Sequence, residues 1–244
     1  MILVDAGNSQ VKAQYLANGQ VRASFGCTYR LDWESRLARW LQLLPAGRAC
    51  QCSVLDAARQ ARLDACLDTR FGNAVTRFAA TARALGVENG YRQPERLGDD
   101  RWMALLGAAD FCAADCLVID AGSAITLDLL RADGHHLGGA ILPGFNTSID
   151  RFRDIFAHID FDHPEIGQHD APGGSTEAAI QIDYDHHSID RLPALVRRWM
   201  PLLSDNAELL LAGGDAPRVQ RLLDRPARIV PDIVFRGLSR LAEA

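Results

Sequence analysis

The chain has 244 residues, 48% of them hydrophobic and 23% charged, with a formal net charge of −5. That balance excludes a disordered or fibrous chain, and mild acidity without a basic tract argues against nucleic acid as the main partner. No run approaches the roughly 20 apolar residues of a spanning helix, so no membrane partner is expected. The first residues lack the basic start and long apolar core of a signal peptide, which leads us to expect a cytoplasmic protein with reduced thiols at its six cysteines.

Residues 2–21, ILVDAGNSQVKAQYLANGQV, read as a strand, a tight Asp-x-Gly turn, a second strand and an Asn-Gly hairpin into a third. Gly7 lets backbone N–H groups approach an anion, Asn8 and Ser9 add polar side chains, and Lys12 can reach a terminal phosphate as a point charge. The same residues would also serve an ordinary hairpin. Lys12 is the one lysine in a chain with 25 arginines. Residues 34–44 and 56–68 then read as amphipathic helices, 74–80 as a strand and 101–112 as a further helix. Two readings are open for Asp99, Asp100 and Arg101 at the start of that helix. Either an aspartate caps it and Arg101 is solvated, or an aspartate accepts a hydroxyl proton while Arg101 holds a substrate carboxylate.

Residues 117–136, LVIDAGSAITLDLLRADGHH, repeat the opening pattern at a shift of 115, so that Asp120-Ala121-Gly122 falls on Asp5-Ala6-Gly7. A duplicated α/β chain follows, with domains at 1–114 and 115–244. Two phosphate-compatible turns related by duplication would face each other across a cleft and hold a nucleoside triphosphate with its cation. Beyond the second turn, Gly138 to Gly144 form a glycine-punctuated strand and turn, and 146–156 and 188–203 read as helices. The His/Asp-rich stretch 158–170 reads as a solvated loop, and the pairs His135-His136 and His186-His187 are read the same way. Residues 208–212 form an apolar strand leading into Gly213-Gly214. Residues 215–223 and 232–242 close the chain as helices opening on Asp215 and Asp232, residues suited to N-caps.

Taken in order, these motifs resemble the type III pantothenate kinases of the acetate and sugar kinase/heat-shock ATPase/actin superfamily. The resemblance runs from Ile2 to Leu238. Asp5-Ala6-Gly7-Asn8-Ser9-Gln10-Val11-Lys12 is similar to the family's first phosphate motif, DxGN(S/T)xxK. Gly98-Asp99-Asp100-Arg101, with Tyr91 ahead of it, resembles GxDR. Asp120 to Thr126 resembles DxGTAxT, and Gly138 to Gly144 resembles GGxIxPG.

The resemblance implies duplicated ribonuclease H-like (actin-like ATPase) domains with an interdomain nucleotide cleft. It also implies ATP-dependent phosphorylation of pantothenate to 4'-phosphopantothenate, the first step of coenzyme A biosynthesis. Asp100 would be the catalytic base, and Asp5, Ala6, Gly7, Asn8, Ser9, Gln10, Val11, Lys12 and Ser123 would bind ATP. Tyr91, Gly98, Asp99, Asp100, Arg101 and Thr176 would bind pantothenate, and Asp120 would hold a monovalent cation, potassium or ammonium, beside magnesium. Because the family's counterpart of Thr176 can come from a partner subunit, a homodimer is implied. Ser123 replaces the usual threonine with its hydroxyl kept, and Asp183 stands at a usual glycine. The alternatives are a related small-molecule kinase and a non-catalytic accessory transcription regulator on the same fold.

Overall fold

A computed structural model describes residues 1–29, 32–159, 171–184, 186 and 189–244. It divides into two compact units. The first comprises Met1–Ala113, Leu130–Gly138 and Asp232–Ala244; the second comprises Ala114–Leu129 and Gly139–Pro231. The expected loop thus lies almost wholly outside the described residues, including His163, His169, Asp160, Asp162 and Asp170; so do His187 and the side chain of Asp183.

In the first unit, β1 (Ile2–Ala6), β2 (Gln10–Ala17), β3 (Gln20–Thr28), β4 (Ala49–Ser53) and β5 (Val75–Arg77) form one sheet in the order β3-β2-β1-β4-β5. The β1, β2 and β3 pairings are antiparallel, while β4 runs parallel to both β1 and β5. Asn18 and Gly19 both take positive φ, 51° and 69°, as the Asn-Gly hairpin requires. Strand alternation sends Ile2, Val4, Ala6, Val11 and Ala13 to one face, where Leu37 and Leu41 of α1 (Trp33–Gln42) and Leu63 and Leu67 of α2 (Ala57–Phe71) bury them. Asp56 caps α2 as expected, accepting from the Arg59 N–H at 2.9 Å. The strand expected over 74–80 shrinks to three paired residues, because β5 pairs only with Ala49, Cys50 and Gln51 of β4.

Helices α3 (Asp99–Phe111) and α8 (Ile233–Glu243) pack over β1 and β4. Every residue of α3 from Arg101 to Ala108 is buried, which marks it as a central helix rather than a surface amphipathic one. Gly107 of α3 and Gly237 of α8 meet at the crossing. A methyl group on Gly107 would overlap the Ile233 carbonyl, and one on Gly237 would overlap the Met103 carbonyl. Asp232 occupies the N-cap position of α8 without a side-chain cap bond. At φ −109° and ψ 30° its backbone is not in the extended geometry a capping side chain needs, and its carboxylate accepts instead from Gln14 Nε2 at 3.1 Å. The unit also holds a short hairpin of β6 (Arg83–Ala84) and β7 (Val87–Glu88).

The second unit repeats the strand order. Its sheet runs β10 (His136–Pro143), β9 (Ala124–Leu130), β8 (Cys116–Ala121), β11 (Glu208–Ala212), β12 (Arg228–Ile229), with β11 parallel to β8 and β12. Strands β8, β9 and β10 take the places of β1, β2 and β3 at the shift of 115 read from the sequence. The core holds Leu117, Ile119, Leu127 and Leu211 from the sheet, Phe145 and Ile149 from α4 (Phe145–Ile155), and Tyr184 from α5 (Thr176–Tyr184). Leu192 and Val196 of α6 (Arg191–Trp199) and Val219 of α7 (Ala216–Leu222) complete it. The helix expected to reach residue 203 gives way to a single 3₁₀ turn over Met200–Leu202, where Pro201 supplies no N–H to continue an α-helix. Asp215 sits at the N-cap of α7 but makes no side-chain cap bond.

Replacing Gly237 with alanine pushes backbone against backbone, which cannot be relieved by a side-chain rotamer. We expect a loss of about 2–3 kcal/mol in urea unfolding. A midpoint and slope equal to the parent's would show that the α3–α8 crossing is looser than described.

Candidate functional site

The first Asp-x-Gly turn joins β1 to β2, closed by the Gly7 N–H donating to the Gln10 carbonyl at 3.1 Å. Its other carbonyls are fixed from outside. The Asn8 carbonyl accepts from Arg59 Nη1 at 3.1 Å, and the Ser9 carbonyl accepts from the Tyr29 N–H at 3.3 Å. The Arg59 guanidinium itself lies over the Tyr29 ring, 5.4 Å from its centroid, and 3.5 Å from Asp56. Asn8, Ser9 and Gln10 are exposed on this braced backbone, as an anion-binding turn requires. Lys12 is cross-strand partner to Asp5, and Asp5 is also paired in register with Cys52 of β4. Paired residues on neighbouring strands project to one face, so Asp5 and Lys12 share the face over which α3 packs.

The start of α3 brings the expected acceptor residues to that face. Burial pushes the Cys52 thiol well above its usual range, and the charges of Asp5, Asp100 and Asp99 push it further. The charges of these carboxylates, from β1 and α3, thus act on one thiol that burial keeps neutral. Asp99 ties the helix start to a neighbouring loop, its Oδ1 accepting from the Ala80 N–H at 2.8 Å. Burial raises the Asp99 carboxyl above the usual range, the Ala80 hydrogen bond opposes this, and the Asp100 charge adds to it. Asp100 bends back toward the helix start, its Oδ1 accepting from the Arg101 N–H at 2.7 Å. Gly98 makes room for that carboxylate, since a Cβ there would lie 2.7 Å from Asp100 Oδ1. Its φ of −56° suits any residue, so space is what the glycine supplies.

Arg101 is 4% exposed, and its Nη1 donates to the Tyr91 hydroxyl at 2.7 Å. Asn89, which carries no motif in the sequence, organises the loop that holds Tyr91. Its Oδ1 accepts from the Tyr91 N–H at 3.0 Å, and its amide donates to the carbonyls of Thr81 (3.2 Å) and Pro94 (3.1 Å). The signal available in sequence was an Asn-Gly pair directly before Tyr91, which reads only as a turn.

The second unit carries the counterpart turn, closed by the Gly122 N–H donating to the Ala124 carbonyl at 2.9 Å. The Ser123 carbonyl accepts from the Gly144 N–H at 3.0 Å and from the Thr147 hydroxyl at 2.7 Å, so the GGxIxPG segment buttresses this turn. A Cβ on Gly213 would overlap the Ala121 carbonyl oxygen and lie 2.5 Å from Asp120 Oδ1. Gly213, at a φ of 84°, lets its turn pack against the end of β8, where the Ala121 carbonyl accepts from the Asp215 N–H at 3.0 Å. The Asp120 carboxylate is of the donor type that suits a hard cation. Thr176 is exposed at the start of α5. Among the described residues no group of three His, Cys, Asp or Glu side chains is placed to hold a metal.

The sequence model of the type III pantothenate kinase family matches residues 1–185. The type III pantothenate kinase of Pseudomonas paraeruginosa is 36% identical over 251 residues, covering 98% of each chain. That of Azotobacter vinelandii is 34% identical over 254 residues, covering 98% of this chain and 97% of its own. Among solved structures, a Campylobacter jejuni protein described as a Baf family transcriptional activator superposes with a TM-score of 0.59 at 21% identity, over 100% of this chain and 98% of that one. MreB5 of Spiroplasma citri bound to AMPPNP superposes at 0.52 and 11% identity, over 99% and 95%. At such identities these structures speak for the fold alone, which is that of the actin-like ATPases with duplicated ribonuclease H-like units.

Substituting Gly98 with alanine should push the Asp100 carboxylate from its place and lower kcat by about tenfold, the scale of a small misplacement of a reacting group, with the unfolding midpoint little changed. Unaltered kcat would show that the Asp100 rotamer does not depend on that space.

Proposed function

This chain belongs to the type III pantothenate kinases, and it transfers the terminal phosphate of ATP to pantothenate in coenzyme A biosynthesis; we propose the following division of work among its residues. Asp5, Ala6, Gly7, Asn8, Ser9, Gln10, Val11 and Lys12 hold the phosphates of ATP, and Ser123 also binds ATP. Asp100 is the catalytic base. Arg101 receives the pantothenate carboxylate, with Tyr91, Gly98, Asp99 and Thr176 completing the acceptor site. What supports this most directly is the buried Arg101 guanidinium donating to the Tyr91 hydroxyl, on the helix that also carries Asp99 and Asp100 and packs over the face that Asp5 and Lys12 share.

In the step itself, Asp100 accepts the proton of the primary hydroxyl as its oxygen forms a bond to the γ-phosphorus. The bond from that phosphorus to the β–γ bridging oxygen breaks, leaving ADP and 4'-phosphopantothenate. Phosphoryl transfer asks the protein for positioning and charge stabilisation rather than covalent help, which suits a site of short polar groups on rigid strands. Lys12 supplies a compact ammonium on a flexible stem that can follow the moving phosphate, where a planar guanidinium fits less readily. Magnesium bound with ATP would neutralise phosphate charge. Asp120 would hold potassium or ammonium. Thr176 is supplied by a second copy of this chain, which makes the working enzyme a homodimer.

The test is ADP release measured by a coupled assay with ATP, magnesium and potassium, across a panel of small hydroxyl acids. We expect release to depend on pantothenate; release independent of it, or with another acceptor only, would overturn the reading. Asp100→Asn should lose about 10²–10⁴-fold in kcat with the pantothenate KM largely kept; an undiminished kcat would remove the base assignment. Lys12→Arg should fall well below the parent in kcat/KM, and full activity would leave the lone lysine without a chemical reason. Omitting potassium and ammonium together should depress turnover; indifference would remove the role given to Asp120.

A further inference from the structure

His135 and His136 are adjacent and chemically identical in the sequence, where they read as one solvated pair. In the structure the strand pleat separates them. His135 is more than half exposed, near Asp133 and Glu88, while His136 at the first position of β10 is 3% exposed. The His136 ring stacks on Tyr91, with centroids 5.9 Å apart and planes 18° from parallel. Tyr91 in turn accepts from Arg101 Nη1 at 2.7 Å. Three side chains from β10, the loop after β7 and α3 thus form one line within the first unit.

The backbones on either side of the stack are docked with little freedom to slide. A methyl group on Gly90 would overlap the His136 carbonyl, and one on Gly134 would overlap the Gly86 carbonyl. The Glu88 N–H donates to the Gly134 carbonyl at 2.9 Å, and Glu88 forms an isolated parallel bridge with His135. Residues 86–91 therefore lie against residues 134–136 main chain to main chain. Tyr91 is anchored at its N–H by Asn89, and its ring is anchored by His136.

From this geometry we propose that His136 is a positioning residue for the acceptor. By fixing the plane of the Tyr91 ring it fixes the phenol oxygen, and through that oxygen the Arg101 guanidinium that receives the pantothenate carboxylate. The inference rests on the acceptor reading of Tyr91 and Arg101. Its physical basis is pre-organisation: a stacked ring pair restricts Tyr91 before substrate arrives, so less freedom is lost on binding. An aliphatic or small residue at 136 leaves the tyrosine ring free to swing, and with it the hydroxyl to which Arg101 Nη1 donates.

The experiment is a double-substitution cycle on the full-length enzyme: parent, His136→Ala, Tyr91→Leu and the two combined, with His136→Phe as the variant that returns a ring. Pantothenate KM, ATP KM and kcat are measured for each, with thermal unfolding alongside. His136→Ala should raise the pantothenate KM about three- to tenfold, the worth of an aromatic pair, and His136→Phe should recover most of that loss. ATP KM and kcat should stay within about twofold, and His136→Ala should add nothing on a Tyr91→Leu background. An unchanged pantothenate KM, a parallel rise in ATP KM, or a full additive penalty on Tyr91→Leu would overturn the proposal. Should His136→Ala fail to fold, His136→Phe decides: a pantothenate KM near the parent's supports the stacked ring, and a loss as large as that of Tyr91→Leu overturns it. A parent enzyme that does not phosphorylate pantothenate at all would refute the functional reading instead, so the two failures are distinct.

Discussion

Helices α3 and α8 cross where neither has a side chain, and the placement of the first turn of α3 follows from that contact. Gly107 and Gly237 let the two backbones touch, with the Ile233 and Met103 carbonyls occupying the space where Cβ atoms would stand. Buried apolar residues of α8, from Ile233 to Ala242, then cover α3, while α8 lies over β1 and β4 and α3 lies over β4. A helix held along its length in this way has its first turn fixed, and that first turn carries Asp99, Asp100 and Arg101. Asp99 ties the turn to the Ala80 N–H, and Gly98 leaves space for the Asp100 carboxylate. Close packing makes such a contact unforgiving, because backbone atoms have no rotamers with which to yield.

The candidate site is thus assembled from parts far apart in the chain. Strand β1 brings Asp5, β2 brings Lys12, α3 brings Asp99, Asp100 and Arg101, and a C-terminal helix more than a hundred residues later holds α3 in place. Residues Leu130–Gly138, at the tip between β9 and β10, also belong to the first unit, where His136 backs Tyr91. The polar elements are pre-formed: the turn between β1 and β2 has its carbonyls fixed by Arg59 and Tyr29, and the Tyr91 loop is fixed by Asn89. Phosphoryl transfer, which depends on positioning and charge, gains from this rigidity.

Much of the fold was legible because its signals are local. The Asp-x-Gly turns and the Asn18-Gly19 and Asp133-Gly134 hairpins declare themselves over a few residues, and their recurrence at a shift of 115 gave the repeated strand order. The candidate site residues were legible through family motifs rather than physics. Gly237 illustrates the difference: it reads as one glycine inside a predicted helix, and its reason is a contact with the Met103 carbonyl that no local pattern encodes. The capping roles expected of Asp215 and Asp232 did not materialise because capping needs a backbone geometry that composition does not specify, and Asp232 had Gln14 to bind instead. His135 and His136 are identical in sequence terms; the pleat of one strand buries one and exposes the other.

Native-state hydrogen exchange tests the dependence of α3 on α8 most directly. If the glycine crossing seats the first turn of α3, the amides of α3 and those of α8 around Gly237 open in one cooperative step with the same free energy as denaturant is raised. Amides around Gly237 that open separately and at markedly lower free energy, with α3 still protected, would contradict it.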